Sequence, residues 1–376
     1  MIATVMAGGL GTRLHPLTCL LPKPMIPVFD RPLLLYILKA LKKTGIKRVL
    51  LTLQYRPETI MNYFGDGSSL GLDISYALEQ EPMGTAGSVK NAVMELGEAT
   101  LVVSGDVLFS YDLSSAFAFH KKSNSMATVL LKHHPHPRAF GIASLDQTGR
   151  VTRYHEKPAS DQDIFSNLIN TGTYIMEPEA LNLIPPHTFF DFSKDLFPLL
   201  LKRKFPFYGY VVQGEWSDLG TFGVYKETHM KAFLGRGTIP VPGQEKGPQV
   251  WMEEDVNIAA GARLRPPLFL GKGVCLEQGV VAGPGAVVGA NTTLKRGSHV
   301  KNSILGKSNC VGEKTFLQDC FIAAGNTIGK HCNLEDGVVL GGGCVLFDYC
   351  RFRNVKVWPG LSVPTHTSLE HTTVES

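Results

Sequence analysis

The chain has 376 residues, a formal charge of +4 and 44% hydrophobic residues, including three Trp and twenty Phe, enough for two cores rather than one. Its mild, unclustered basic excess argues against nucleic acid or a membrane surface as partner, and no apolar stretch of about 18 residues could span a bilayer. Seven Cys without a C-x-x-C pair argue against a disulfide framework or a zinc ribbon, and the direct start of the first motif predicts a cytoplasmic protein with reduced thiols.

The apolar run Ile2–Met6 feeds into Ala7-Gly8-Gly9-Leu10-Gly11-Thr12-Arg13, with Lys23 following in Pro22-Lys23-Pro24. Gly8, Gly9 and Gly11 lack Cβ atoms, so their backbone is free to take positive φ and bring N–H groups to an anion. Thr12 adds a hydroxyl, Arg13 a planar fork of donors and Lys23 a point charge, a set suited to a polyphosphate nucleotide. Neither a Walker loop nor a dinucleotide fingerprint is present. The order G-G-L-G-T-R-L-H-P-L-T…P-K-P resembles the signature of the nucleotide-sugar pyrophosphorylases, the sugar-1-phosphate nucleotidyltransferases. That resemblance implies a Rossmann-like α/β domain with a mixed, mostly parallel sheet and helices on both faces. It also implies that residues 7–13 bind the nucleotide and that Arg13 and Lys23 are catalytic.

Asp30, Pro32 and Gly45 bracket Leu33–Lys43 in the order N-cap, first turn and C′, which predicts a helix there. Strand-like runs at 49–53, 101–104, 127–131 and 174–176 alternate with helical segments, so residues 1–232 read as a layered α/β domain. The segment Glu79-Gln80-Glu81-Pro82-Met83-Gly84-Thr85 resembles the family's base- and ribose-contacting loop and assigns Glu79, Pro82, Gly84 and Thr85 to the nucleotide. Relatives using uridine or thymidine nucleotides place Gln where Glu79 stands. A carboxylate accepts from guanine N1–H and N2–H₂ together, so Glu79 points to GTP, with a cap on the following helix as its other reading.

Ser104-Gly105-Asp106 closes a strand at the carboxyl edge of the sheet, where open α/β folds bind ligands, and makes Asp106 a candidate Mg²⁺ ligand. Trp216-Ser217-Asp218-Leu219-Gly220-Thr221 resembles the W-x-D-x-G-T segment that supplies the family's second metal carboxylate, here Asp218. Taken singly, each Asp reads as a strand-end cap. Phe140-Gly141-Ile142, Tyr154-His155-Glu156-Lys157-Pro158 and Asn170-Thr171-Gly172 match the family's sugar-phosphate elements in order. The match assigns Gly141 and Glu156 to the hexose, Lys157 to its phosphate, and Asn170, Thr171 and Gly172 beside them. His133, His134 and His136 alternate with Pro135 and Pro137, which break any face that would converge them, so they read as a polar loop.

Residues 233–250, rich in Gly and Pro, read as a linker. From Ile258 the period becomes six, through Leu264, Leu270, Leu276, Ala282, Val288, Leu294 and Val300; after a slip come Leu305, Val311 and Leu317, and after another Ile322, Ile328, Leu334, Leu340 and Leu346. This resembles the hexapeptide repeat of left-handed parallel β-helices and implies one over residues 251–355, with three hexads per coil. Cys332, Cys344 and Cys350 fall at the small position of the repeat and read as space-filling. Residues 356–376 read as a C-terminal tail, and flat apolar faces and coil edges predict a homo-oligomer.

The whole pattern is most similar to mannose-1-phosphate guanylyltransferases. It implies transfer of a nucleotidyl group from GTP, or another NTP, to mannose 1-phosphate, or another hexose 1-phosphate, giving GDP-mannose and pyrophosphate by Mg²⁺-assisted in-line displacement. Rival readings are a glucose-1-phosphate adenylyl-, uridylyl- or thymidylyltransferase, a non-catalytic homologue that senses nucleotide sugar, and a hexapeptide acyltransferase. Intact Arg13, Lys23, Asp106 and Asp218 speak against the second, and the third would need His299 or His331 at a coil edge.

Overall fold

Strand Ile2–Met6 is buried along almost its whole length, and it lies between Arg48–Leu53 and Thr100–Ser104 in a nine-stranded sheet, paired parallel to both. Runs this apolar suit a strand covered on both faces. In the computed structural model, which describes residues 1–93 and 97–375, the chain forms two compact units, one of Met1–Gly9 with Leu34–Asp218 and one of Leu10–Leu33 with Leu219–Ser376. The sheet belongs to the first. Its order runs Val151–Glu156, Gly141–Leu145, Leu168–Met176, Thr100–Ser104, Ile2–Met6, Arg48–Leu53, Asp73–Leu78, with Ala127–His133 and Phe207–Val211 branching from Leu168–Met176. Pairing is parallel from Thr100–Ser104 to Asp73–Leu78 and antiparallel around Leu168–Met176, so the sheet is mixed. Ala86, Val89, Phe192, Phe197 and Leu200 pack with Ile2, Val102, Val129 and Tyr174 into one core.

The parallel strands end in step. Met6 is level with Thr52 and Ser104, and Leu53 with Leu78, so the chain leaves the sheet at Ala7, Gln54, Glu79 and Gly105 along one carboxyl edge. A separate two-stranded ribbon follows, pairing Val107–Phe109 with Trp216–Asp218. No helix among the described residues is long and apolar enough to cross a membrane.

In the second unit the hexads build a three-walled parallel β-helix. Its walls register Leu270, Val288, Leu305, Ile322, Leu340 and Val357 in one line, Leu276, Leu294, Val311, Ile328, Leu346 and Val363 in the next, and Ala282, Val300, Leu317, Leu334, Phe352 and Leu369 in the third. These side chains meet inside as one core, with Cys320, Cys332, Cys344 and Cys350 buried among them. Burial raises all four thiols, Cys332 to about 11, so none is a ready thiolate. The expected tail is corrected: Lys356–Val357, Ser362–Val363, Ser368–Glu370 and Thr373–Val374 continue the walls. A further slip separates Phe352 from Val357, and Ser362, Ser368 and Thr373 are outward positions of the last coils. The expected linker is also partly structured, since Gln244–Gly247 pairs with Val250–Met252 to start the first wall.

Alternate residues of a strand point to opposite faces, so an apolar inner line leaves an independent outer one. On the first wall that outer line is apolar too, with Phe269, Val287, Ile304, Phe321 and Val339 all buried. Helix Phe222–Phe233 covers it, Phe222 lying tilted 5.0 Å from Phe321 and Phe233 stacking 5.5 Å from Trp251, and Phe29 reaches Phe269 at 5.5 Å. One flat apolar face of the β-helix is therefore covered by the chain itself. The same packing explains why residues 10–33 and 219–233 cluster with the β-helix, although the sequence boundary was drawn at 232.

Helix Leu33–Lys43 forms as expected, and Gly45 follows it at φ 83° with its N–H donating to Lys42 O at 3.0 Å. Asp30 does not cap it. Phe29 (φ 45°) and Asp30 (φ 66°) form a left-handed two-residue turn between Pro27–Val28 and Arg31–Pro32, and the Asp30 carboxylate accepts from Ala290 N–H at 2.5 Å. Phe29 N–H donates to His229 Nε2 at 3.2 Å, and His229 Nδ1–H donates to Tyr225 O at 2.8 Å. Tyr225 O–H bonds Pro27 O, and Arg31 pairs with Glu253.

Complete burial holds the His229 imidazole down to about 4. Between roughly pH 6.5 and that value the unfolded chain binds a proton that the folded one refuses, so stability falls as pH falls through this window. The contribution is about 3 kcal/mol. His229→Gln, which keeps an acceptor for Phe29 N–H but does not titrate, is expected to flatten the pH dependence by that order, read from urea-unfolding midpoints between pH 7 and 4.

Candidate active site

The glycine loop leaves the sheet with Ala7 N–H bonded to Thr52 O at 3.0 Å. Of its glycines only Gly11 is left-handed, at φ 67°; Gly8 and Gly9 are not. A Cβ at Gly8 would press on Gln54 at 3.3 Å, one at Gly9 would meet nothing within 4 Å, and one at Gly11 would stand 2.9 Å from Lys23 Cβ. Gly9 is thus an open approach to backbone, whereas Gly11 lets the chain close over Lys23. Thr12–Leu14 makes a single tight turn that leaves Thr12 and Arg13 exposed, and Thr18 Oγ1 donates to Gly11 O at 2.8 Å. Lys23 begins the next turn and is only 6% exposed. The Arg13 guanidinium lies over Gly220, where a Cβ would come within 2.8 Å of Nη2. That contact gives the glycine of the Trp216-to-Thr221 segment a role that its sequence alone did not show.

At the same carboxyl edge Glu79 follows strand Asp73–Leu78, its N–H bonded to Leu53 O at 2.8 Å. Its Oε1 accepts the hydroxyl of Ser88, from helix Gly84–Val93. That bond reaches the fifth residue of the helix through a side chain, so it is not a cap of the helix start, and it fixes the carboxylate rather than consuming it, since each oxygen carries two lone pairs. Pro82 and Thr85 are exposed, and Gly84 turns at φ 70° with no room for a Cβ beside Phe190 O.

Asp106 and Asp218 are brought together by the two-stranded ribbon. Asp218 is in register with Val107, so it stands beside the residue that follows Asp106. Ser104 Oγ donates to Asp106 Oδ1 at 2.5 Å, and Oδ1 of Asp218 is buried. Trp216 Nε1–H bonds Thr171 O at 2.9 Å, anchoring the ribbon to strand Leu168–Met176. Two carboxylates are hard oxygen donors, and a pair rather than a cage suits a cation that shares its shell with phosphates and water. Among the described residues no three His, Cys, Asp or Glu side chains gather as a metal cluster. His133 instead bonds Asn167 Oδ1 at 2.8 Å, and the His134 ring packs 5.1 Å from Phe140.

The residues expected at the sugar phosphate belong to a partly buried polar network in the first unit. Asn170 Nδ2 donates toward Tyr154 Oη (3.1 Å), Tyr174 Oη (3.0 Å) and Ser193 Oγ (3.2 Å), while its Oδ1 accepts from Gly172 N–H at 2.8 Å. Tyr154 Oη lies 3.2 Å from Glu156 Oε2. Asn170 thus holds the residues around it, and Thr171, fully buried, donates its hydroxyl to Leu130 O at 2.8 Å. Glu156 and Lys157 remain accessible, Lys157 at φ 48° with Nζ 3.8 Å from Glu156 Oε1. Burial raises the Tyr154 and Tyr174 phenols, so both stay hydroxyl donors.

Residues 2–233 match the family model Nucleotidyl transferase, and residues 264–373 match GMPPB C-terminal domain. The chain is similar to a mannose-1-phosphate guanylyltransferase of Mycobacterium tuberculosis, 33% identical over 96% of this chain and 95% of that one. It is also similar to a UTP–glucose-1-phosphate uridylyltransferase of Synechocystis sp., 30% identical over 90% of each. Among solved structures, HddC from Yersinia pseudotuberculosis complexed with GMP-PN is 26% identical with a TM-score of 0.52, covering 61% of this chain and 98% of that chain.

A Cβ at Gly141 would strike Tyr154 Oη and Glu156 Oε2. Gly141→Ala is therefore expected to displace Glu156 and to cost about 1–3 kcal/mol, measurable as a lower unfolding midpoint.

Proposed function

The chain belongs to the nucleotidyl transferase family and is a sugar-1-phosphate nucleotidyltransferase, and from that premise we propose that it transfers GMP from GTP to mannose 1-phosphate, forming GDP-mannose and pyrophosphate. The observation that carries the choice of base is Glu79, a carboxylate at the sheet's carboxyl edge whose orientation Ser88 fixes. It offers acceptors where guanine presents N1–H and N2–H₂ side by side. The guanylyltransferases among its relatives support this reading, and so does the GMP-PN in a structural neighbour.

In this reading the glycine loop and Thr12 bind the triphosphate, and Pro82, Gly84 and Thr85 shape the nucleoside end. Glu156 binds hexose hydroxyls beside Gly141, and Lys157 binds the sugar phosphate, with Asn170, Thr171 and Gly172 holding that end in shape. The sugar-phosphate oxygen attacks the α-phosphorus in line with the departing pyrophosphate. It is already anionic, so no general base is required. Arg13 and Lys23 neutralise charge that grows on the bridging and leaving oxygens, the contribution that most lowers such barriers. Asp106 and Asp218 would hold Mg²⁺, which when bound screens the phosphates and lends Lewis acidity.

Pyrophosphate release over GTP, UTP, dTTP and ATP, each with mannose and glucose 1-phosphate, tests the assignment; GTP with mannose 1-phosphate is expected to give the highest kcat/KM. A maximum with UTP and glucose 1-phosphate would favour the reading suggested by the uridylyltransferase relative. Glu79→Gln is expected to lower the GTP-over-dTTP ratio of kcat/KM by about 5- to 150-fold, the equivalent of roughly 1–3 kcal/mol. Asp106→Asn and Asp218→Asn should each remove most turnover while leaving the unfolding midpoint near that of the wild type.

A further inference from the structure

A continuous run of hydrogen bonds inside the first unit joins the proposed nucleotide loop to the proposed hexose end, through a segment that no motif marked. Ala86 and Gly87 N–H donate to Phe190 O at 2.9 and 3.0 Å, and Phe190 N–H returns to Met83 O at 2.8 Å. A Cβ at Gly84 or Gly87 would stand 2.6 Å from Phe190 O or Thr188 O, so the two segments lie backbone to backbone. Thr85 Oγ1 donates to Asp191 Oδ2 at 2.8 Å and accepts from Phe192 N–H at 3.0 Å.

Asp191 then caps the wide helical turn Phe192–Leu196, its Oδ1 accepting from Ser193 N–H at 2.8 Å and Lys194 N–H at 3.0 Å. Turns of this wide type recur at functional sites. Ser193 Oγ, half-buried, lies 2.9 Å from Tyr154 Oη and 3.2 Å from Asn170 Nδ2. Tyr154 has one O–H proton and two acceptors in reach, Ser193 Oγ at 2.9 Å and Glu156 Oε2 at 3.2 Å. Where Ser193 sits therefore decides how firmly Tyr154 holds Glu156.

We propose that Ser193 is a positioning residue that couples the two substrates: nucleotide ordering the 82–87 loop fixes Asp191 and Ser193, and these fix Tyr154 and Glu156 for the hexose. The proposal rests on the assignment of those two ends above. Its thermodynamic content is that bound nucleotide tightens hexose 1-phosphate and the reverse, by the same factor. Neither Ser193 nor Asp191 needs to touch a substrate.

Calorimetric titration of the full chain tests this, measuring the Kd of mannose and of glucose 1-phosphate with and without non-hydrolysable GTP and UTP analogues. Wild type is expected to bind the sugar phosphate several-fold more tightly when nucleotide is bound. Ser193→Ala should reduce that synergy to less than twofold while leaving nucleotide Kd and the unfolding midpoint unchanged. Ser193→Thr, which keeps the hydroxyl, should restore it. Undiminished synergy in Ser193→Ala overturns the proposal, as do equal losses of affinity with and without nucleotide, or no synergy in the wild type. A wrong base or hexose assignment shows instead as a different pair of ligands binding, with the effect of Ser193→Ala on synergy still readable.

Discussion

The loop that carries Arg13 and Lys23 depends on one backbone turn. Phe29 and Asp30 are both left-handed without being glycine, a conformation that costs of order 1–3 kcal/mol per residue and persists only when its surroundings over-determine it. Here His229, Tyr225, Glu253 and Ala290 each take a polar group of the 27–31 segment, and Phe269 and Phe233 pack against the Phe29 ring. The β-helix is in this sense a seat for residues 27–31. Its outer apolar wall exists to be covered, and what covers it leads back to Lys23.

The first unit meets a different demand, that of keeping polar side chains fixed inside a core. Asn170 satisfies several partners at once, and a polar network of this kind is rigid when complete and costly when broken. Asn170 and Thr171 spend their side chains on neighbours, and Glu156 is the half-buried end of the network.

Much of this was legible in the sequence where a local rule and the fold agree. The helix Leu33–Lys43, the strands around the glycine loop and the hexad core all follow from spacing. Asp30 misled because its position before a helix suits a cap, while its actual partner, Ala290, lies 260 residues away. The last coils were hidden by composition: Ser362, Ser368 and Thr373 take outward positions, while Val357, Val363 and Leu369 keep the inner lines after a slip of one. Ser193 carried no signal at all, since the Thr85–Asp191 bond that gives it meaning spans 106 residues.

The distance along the chain between the turn and its holders bears on how the protein is made. Phe29 waits for His229, 200 residues later, and Asp30 for Ala290, 260 residues later. At roughly 5–20 residues per second, synthesis leaves this turn without its holders for on the order of tens of seconds. Closing such long loops also demands entropy that only late packing returns. The turn at Phe29 and Asp30 is therefore among the last parts of the second unit to be fixed, and that unit matures from its far end backward.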